Sequence, residues 1–147
     1  MPADRERWTG ARSKARKRAV DVLYAAALRD ADPLTLFEER TEAAENPPPN
    51  DYARSLLEGV VAHRERIDEL LAEHAEGWTL DRMPFVDVAV LRLGVYELLW
   101  ATDVPDVVAV DEAVLLARTL STDDSPRFVN GVLGRLATIA EQLRATL

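Results

Sequence analysis

The 147-residue chain contains no cysteine and few aromatic residues. Without cysteine it can form neither disulfides nor thiolate zinc sites, and we expect it to work in the cytoplasm. Its apolar runs fall short of the roughly 20 residues that a membrane helix needs, and its N-terminus lacks the apolar stretch of a signal peptide. The remaining composition, rich in Ala, Leu and Val, favours a helical globular domain without a membrane contact.

Signatures of the common enzyme classes are also missing from the sequence. It has no phosphate-binding glycine loop, no nucleophile elbow and no HExxH zinc motif. His63 and His74 are eleven residues apart, about 16 Å along a helix, which is too far for one metal ion. Adjacent carboxylates such as Asp111 and Glu112 diverge on a helix and do not form an acid–base pair. We therefore expect no enzymatic activity, no metal and no cofactor.

Charge is distributed unevenly along the chain. The net charge is -8, yet residues 1–18 hold seven Arg or Lys and only two Asp or Glu, whereas the other 129 residues hold 11 basic and 24 acidic side chains. Such segregation indicates a basic tip for an anionic partner on an acidic body.

Every strong periodicity is helical, and no strand pattern or internal repeat is present. We predict a first helix over residues 12–29, a short one that begins at Pro33 with Asp32 as its cap, and a third from Asp51 to about residue 76. The connector at residues 46–50 contains three consecutive prolines and cannot be helical.

The C-terminal half contains the most apolar segment, residues 85–100, which is typical of the buried axis of a bundle. A further helix is predicted over residues 108–120. In the last helix Ser125 is the expected N-cap and Pro126 the first helical residue. Gly131 and Gly134 are expected to let another helix pack closely. The resulting fold class is a single all-α domain of about seven helices (residues 12–147), preceded by a flexible basic tail (residues 1–11).

The basic tip is concentrated at the start of the first helix, where five cations occur within seven residues: Arg12, Lys14, Arg16, Lys17 and Arg18. Cations at a helix N-terminus oppose the helix dipole and repel one another, so stability alone would not select them. Phosphate binding accounts for them better. Tyr24 falls on the same angular sector as Lys17, and it either stacks on a base or packs in the core.

A second candidate contact lies at the start of the last helix. Arg127 is in the first helical turn, where free backbone N–H groups also attract phosphate. Phe128 is at the margin of the apolar stripe, and from periodicity alone the core is its better placement.

Several motifs together resemble the NusB family of transcription antitermination factors over residues 12–136. They are Ala19-Val20 with Leu23-Tyr24, Val90 to Leu98, Asp103-Val104-Pro105, Asp111-Glu112-Ala113 with Ala117, and Asp124-Ser125 followed by Phe128 to Leu133.

This resemblance implies a non-catalytic, NusB-like fold of two small helical bundles, roughly residues 12–76 and 80–147. It implies binding to a boxA-type single-stranded element of ribosomal RNA leader transcripts, together with the ribosomal protein NusE on RNA polymerase. The RNA role would fall on the five cations, Tyr24, Asp124, Arg127, Phe128 and Asn130, with Phe128 now a base-stacking residue. Asp87 and Arg92 would face NusE.

Alternatives remain open at this point. A NusB-like domain also precedes certain ribosomal RNA cytosine methyltransferases, so an accessory role in RNA modification is one alternative. A protein-interaction module whose basic helix binds an acidic protein is another. Family members also occur as homodimers. Ser13 departs from the family, which often has an arginine there, so one phosphate contact is expected to be absent.

Overall fold

The computed structural model describes residues 10–48 and 51–147, so the predicted tail (residues 1–11) lies almost entirely outside the described residues. The described part contains eight α-helices and one 3-10 turn, Leu80–Arg82. The helices are α1 (Ala11–Arg29), α2 (Pro33–Ala43), α3 (Asp51–Ala62), α4 (Arg64–His74), α5 (Phe85–Leu99), α6 (Asp106–Leu120), α7 (Ser125–Thr138) and α8 (Ala140–Arg144). The predicted all-α, single-domain class is confirmed.

Helix α5 is the axis of the fold. It packs against α1, α3, α4, α6, α7 and α8, and eleven of its fifteen residues are buried. Its sequence is apolar nearly all round, so every face needs a covering helix. One continuous hydrophobic core results, with contributions from all eight helices.

Local sequence signals explain several helix ends. The carboxylate of Asp32 accepts a hydrogen bond from the Thr35 N–H at 2.9 Å and caps α2, and this bond lowers the pKa of Asp32. The predicted single helix from Asp51 to residue 76 is wrong, because it breaks at His63 into α3 and α4. The His63 ring stacks on Trp100 with 4.4 Å between ring centroids, a contact between distant residues that helical periodicity does not encode.

Close helix packing depends on different glycines from those predicted. A Cβ atom on Gly134 would meet nothing within 4 Å, and one on Gly131 only the tip of Arg135. By contrast, a Cβ on Gly94 would lie 2.6 Å from Leu133, and one on Gly59 would lie 2.1 Å from the Tyr96 ring. Gly94 and Gly59 therefore let α7 and Tyr96 approach the backbone.

Within the described ranges, no helix is both long enough and apolar enough to cross a membrane.

Candidate nucleic-acid interface

The cations of α1 divide into an accessible set and a buried one. Lys14 is exposed, and Lys17 and Arg18 are partly exposed. Lys17 Nζ pairs with Asp21 Oδ2 at 3.1 Å, one helical turn away. Since both side chains of that pair remain in contact with solvent, the pair is weak and a phosphate can replace the carboxylate.

Arg16 corrects the prediction that all five cations are free to bind phosphate. The residue is only 3% exposed. Its Nε donates to Glu97 Oε1 at 2.7 Å, and its Nη1 lies 3.5 Å from Glu112 Oε1. Burial is the largest influence on the pKa of Arg16 and lowers it, but the hydrogen bond and charge of Glu97 outweigh it and the pKa is raised. Arg16 is on the buried face of α1, and its guanidinium is not available to RNA.

Two neutral side chains complete the network around Arg16. The Ser13 hydroxyl donates to Glu112 Oε1 at 2.8 Å, and the Tyr52 hydroxyl donates to Glu97 Oε2. Burial raises the pKa of Tyr52, and the neighbouring charge of Glu97 adds to the rise. The departure at Ser13 thus has a structural role, since Ser13 supplies a donor to a buried carboxylate. This network ties α1 to α3, α5 and α6.

Arg12 lies at the outer edge of the network. Its guanidinium carbon is 4.4 Å from the centre of the Tyr52 ring, and its Nη2 pairs with Asp103 Oδ2 at 2.8 Å. This hydrogen bond raises the pKa of Arg12 and lowers the pKa of Asp103. At least half of each side chain is exposed, so a phosphate can reach Arg12 in competition with Asp103.

The start of α7 also differs from the prediction. Ser125 is the first helical residue and not the N-cap, and Asp124 occupies the cap position without making a capping hydrogen bond. The Ser125 hydroxyl is buried and lies 3.0 Å from Asp87 Oδ2, while the Ser121 hydroxyl donates to Asp87 Oδ1 at 2.6 Å. Ser125 therefore anchors α7 to α5 through a side-chain contact.

Neither predicted partner residue is free in this structure. Asp87 is only 4% exposed, and its carboxylate accepts from two serine hydroxyls. Arg92 makes a bidentate pair with Asp68, at 2.9 Å from Nε and 3.0 Å from Nη2. Asp87 lies in the first turn of α5, where the helix dipole favours a carboxylate and offsets part of the cost of burying it. Both side chains are thus engaged within the chain, and their contact with a partner stays a prediction.

Next to Asp87 a groove of about 440 Å³ opens at the surface. Its lining comprises Trp78, Met83, Pro84, Asp87, Thr122, Asp124, Ser125, Arg127 and Phe128. Arg127 is exposed, and Phe128 is partly exposed while it also packs against the core. Asn130 is exposed two residues further along α7. The predicted residues Asp124, Arg127 and Phe128 are thus brought together.

Sequence reasoning missed Trp78. This residue follows Gly77, whose φ of 77° produces a tight left-handed turn after α4. The residue is 49% exposed, and its ring centroid lies 5.9 Å from that of Phe128. The available signal for this residue was a tryptophan in a polar loop. Because Trp78 lies outside any helical repeat, its spacing in the sequence does not place it beside α7.

Tyr24 lines a different surface from the one that the α1 cations form. It is partly buried and borders a second, largely apolar groove of about 410 Å³ together with Leu28, Phe85, Val86 and Leu120. Pro84 and Thr122 line both grooves, which are therefore neighbours.

The two predicted contacts lie toward opposite ends of α5. The start of α1 contacts Glu97 near the C-terminus of α5, and the start of α7 contacts Asp87 near its N-terminus. Ten residues of helix separate these positions by about 15 Å. A ligand that touches both must be extended, as a single strand of several nucleotides is.

Comparison with known proteins agrees with this fold. The NusB family model matches residues 13–138. The transcription antitermination protein NusB of Saccharopolyspora erythraea is 67% identical over 139 residues, which cover 94% of each chain. That of Thermobifida fusca is 57% identical over 127 residues, covering 86% of this chain and 89% of the relative.

Solved structures give the same result. NusB from T. maritima superposes with a TM-score of 0.81 at 33% identity, covering 94% of this chain and 99% of that one. A structure of antitermination factors NusB and NusE in complex with dsRNA contains a chain that matches with a TM-score of 0.75 at 32% identity, covering 86% and 96%. The helical topology and these identities establish that the chain belongs to the NusB family of transcription antitermination proteins, which is non-catalytic.

Proposed function

We propose that this protein binds boxA-type single-stranded RNA in ribosomal RNA leader transcripts and acts with NusE on transcribing RNA polymerase in the cytoplasm. The observation that carries the proposal is the pairing of an accessible cationic helix start with an aromatic groove that has a cation on its rim. These two surfaces stand on a chain whose net charge is otherwise strongly negative. Nucleic acid is the partner that such a local arrangement suits.

The two surfaces contact different parts of the RNA. Arg12, Lys14, Lys17 and Arg18 hold backbone phosphates and set the affinity, since phosphate contacts carry little sequence information. Asp124, Asn130 and the aromatic groove that contains Phe128 meet bases, so sequence preference resides there, while Arg127 at the groove attracts a phosphate. Tyr24 and the buried Arg16 are left out of this set because of where they lie.

NusE is proposed to dock on the apolar groove beside Tyr24. Leu28 and Phe85 are 56% and 44% exposed, and large apolar side chains left at a surface commonly mark a protein contact. The groove adjoins the one that contains Phe128, so RNA and NusE would be neighbours. A solved structure of antitermination factors NusB and NusE in complex with dsRNA supports the assembly of these two proteins with RNA. The comparisons give no support to a homodimer.

The deciding experiment measures binding of a boxA-type RNA oligonucleotide, with and without NusE, over a series of salt concentrations. We expect log affinity to fall with log salt at a slope of roughly -3, for about four neutralised phosphates on a single strand. A scrambled single strand and a duplex of the same length are the controls. A flat salt response would refute the phosphate contacts, and NusE binding without RNA binding would indicate a protein-interaction module instead.

A further inference from the structure

Trp78 is the most exposed aromatic ring described at the groove. Gly77 turns the chain in the left-handed region, and the Trp78 N–H donates to the Ala75 carbonyl at 3.1 Å. Ala75 itself is buried, so the turn is anchored to the core while Trp78 remains 49% exposed. The backbone therefore presents the ring to solvent from a fixed position.

Phe128 supports this ring from one side. The two ring planes are tilted by 59° with centroids 5.9 Å apart, which is a direct aromatic contact. Because the two planes are not parallel, a nucleobase cannot stack between the two rings. Phe128 also packs against the hydrophobic core, and so the accessible face of the pair belongs mainly to Trp78.

Charge at the groove indicates what can occupy that face. The buried Asp87 and the exposed Asp124 both line the groove, and both repel a phosphate. Arg127 at the rim attracts one. A neutral base can enter beside the carboxylates while its phosphate stays outside, near Arg127. A π-face next to a rim cation is the arrangement with which proteins hold unpaired bases.

We propose that the exposed face of Trp78 stacks on an unpaired nucleobase of the bound RNA strand, and that Phe128 is the positioning residue that holds the indole. This inference rests on the proposed function and deepens it, because it assigns the stacking contact with a base to a residue outside the predicted set. Trp78 and Phe128 then form a single stacking unit.

The test compares Trp78→Ala, Trp78→Phe and the matched control Trp100→Phe, whose ring stacks on His63 near the other end of α5. The probe is a boxA-type single-stranded RNA, together with a set of the same RNA carrying one abasic nucleotide at each position in turn. We expect Trp78→Ala to weaken binding about 5- to 150-fold, Trp78→Phe to retain most of the affinity, and Trp100→Phe to match the wild type. One abasic position should weaken binding to the wild type but not weaken binding to Trp78→Ala any further.

A fluorescence measurement supplies an independent readout. In the Trp8→Phe, Trp100→Phe double variant, Trp78 is the sole tryptophan, and RNA should quench its emission. Wild-type affinity in Trp78→Ala would overturn the inference and leave the proposed function intact. Loss of NusE binding with unchanged RNA binding would also overturn it and would mark Trp78 as a protein contact. A wild type that fails to bind RNA would refute the proposed function itself.

Discussion

A carboxylate is buried near each end of α5, but different groups stabilise its negative charge at the two ends. Near the C-terminus, Glu97 is paired with the guanidinium of Arg16. Near the N-terminus, Asp87 accepts only from the hydroxyls of Ser121 and Ser125. Among the residues that the structure describes, no cation pairs with Asp87.

The helix dipole accounts for the difference. A carboxylate in the first turn faces the partial positive charge of the helix N-terminus, so two neutral donors suffice for Asp87. A carboxylate in the last turn faces the partial negative charge and needs a full cation, which Arg16 supplies to Glu97. A cation from the basic segment of α1 is thus used for folding at one end of α5, while the other end leaves Arg127 free at the surface.

The largest expected effect comes from removing the compensation at the Glu97 end. Arg16→Met should lower the free energy of unfolding by about 3 to 5 kcal/mol, because Glu97 and Glu112 would be left buried without a cation. Chemical denaturation measures this loss. The matched control is Lys17→Met on the same helix, which should change stability by about 0.5 kcal/mol or less. Equal losses in both variants would contradict the buried role of Arg16.

At the Asp87 end the expected loss is smaller because no charge is left unpaired. Asp87→Ala should cost about 1 to 3 kcal/mol, since the hydroxyls of Ser121 and Ser125 lose their acceptor. Asp87→Asn keeps one carbonyl oxygen and should cost less. Asp81→Ala, an exposed position in the 3-10 turn, is the control for denaturation. Full stability of Asp87→Ala combined with lost NusE binding would restore the partner-facing interpretation.

A pH titration distinguishes the two ends again, because only the Glu97 end contains a hydrogen-bonded tyrosine. The folded-state pKa of Tyr52 is raised, so its neutral form is favoured in the folded protein. Its contribution is fully present below the ordinary tyrosine pKa of about 10 and is lost as pH rises toward the folded-state value. Above pH 10, wild-type unfolding free energy should fall more steeply than that of Tyr52→Phe, by at most about 1.4 kcal/mol per pH unit. Tyr96, whose pKa burial also raises, is present in both proteins and cancels. Parallel curves would contradict the Tyr52–Glu97 contact.

The smallest expected effect concerns the surface pair of Arg12 and Asp103. Asp103→Asn frees Arg12 for phosphate, and RNA affinity should rise by a factor of about 2 to 5. Glu39→Gln on α2 makes the same change of net charge at another exposed site and serves as the control in the binding titration. An equal rise in both variants would mean that net charge, and not release of Arg12, is responsible.

Much of the fold was predictable because local sequence patterns determine where most of the helices lie. The apolar stripes located α1, α5 and α7, and Asp32 with Pro33 located the start of α2. The break at His63 was not predictable, since the apolar stripe continues past it and the ring that stacks on His63, Trp100, is 37 residues away.

The candidate site was predictable only in part, because some of its contacts join residues that are far apart in the sequence. Arg16 belongs to a run of cations, and its sequence neighbours give no sign that it is buried. Its buried partner, the carboxylate of Glu97, lies 81 residues away in the sequence. A glutamate near the end of a largely apolar helix was the available hint of a buried cation. Trp78 gave no periodic signal, because its position depends on the turn at Gly77 and on the packing of Phe128.

In the proposed complex one RNA strand makes a backbone contact at α1 and a base contact at the groove, and the salt dependence of two variants separates these contacts. With boxA-type RNA, Lys14→Gln combined with Lys17→Gln should reduce the magnitude of the log–log salt slope by about 1.4, because two phosphate contacts are lost. Trp78→Ala should weaken binding at every salt concentration and leave the slope unchanged, because a stacked base releases no counterions. Equal slopes in the wild type and the lysine variant, or a reduced slope in Trp78→Ala, would contradict the account.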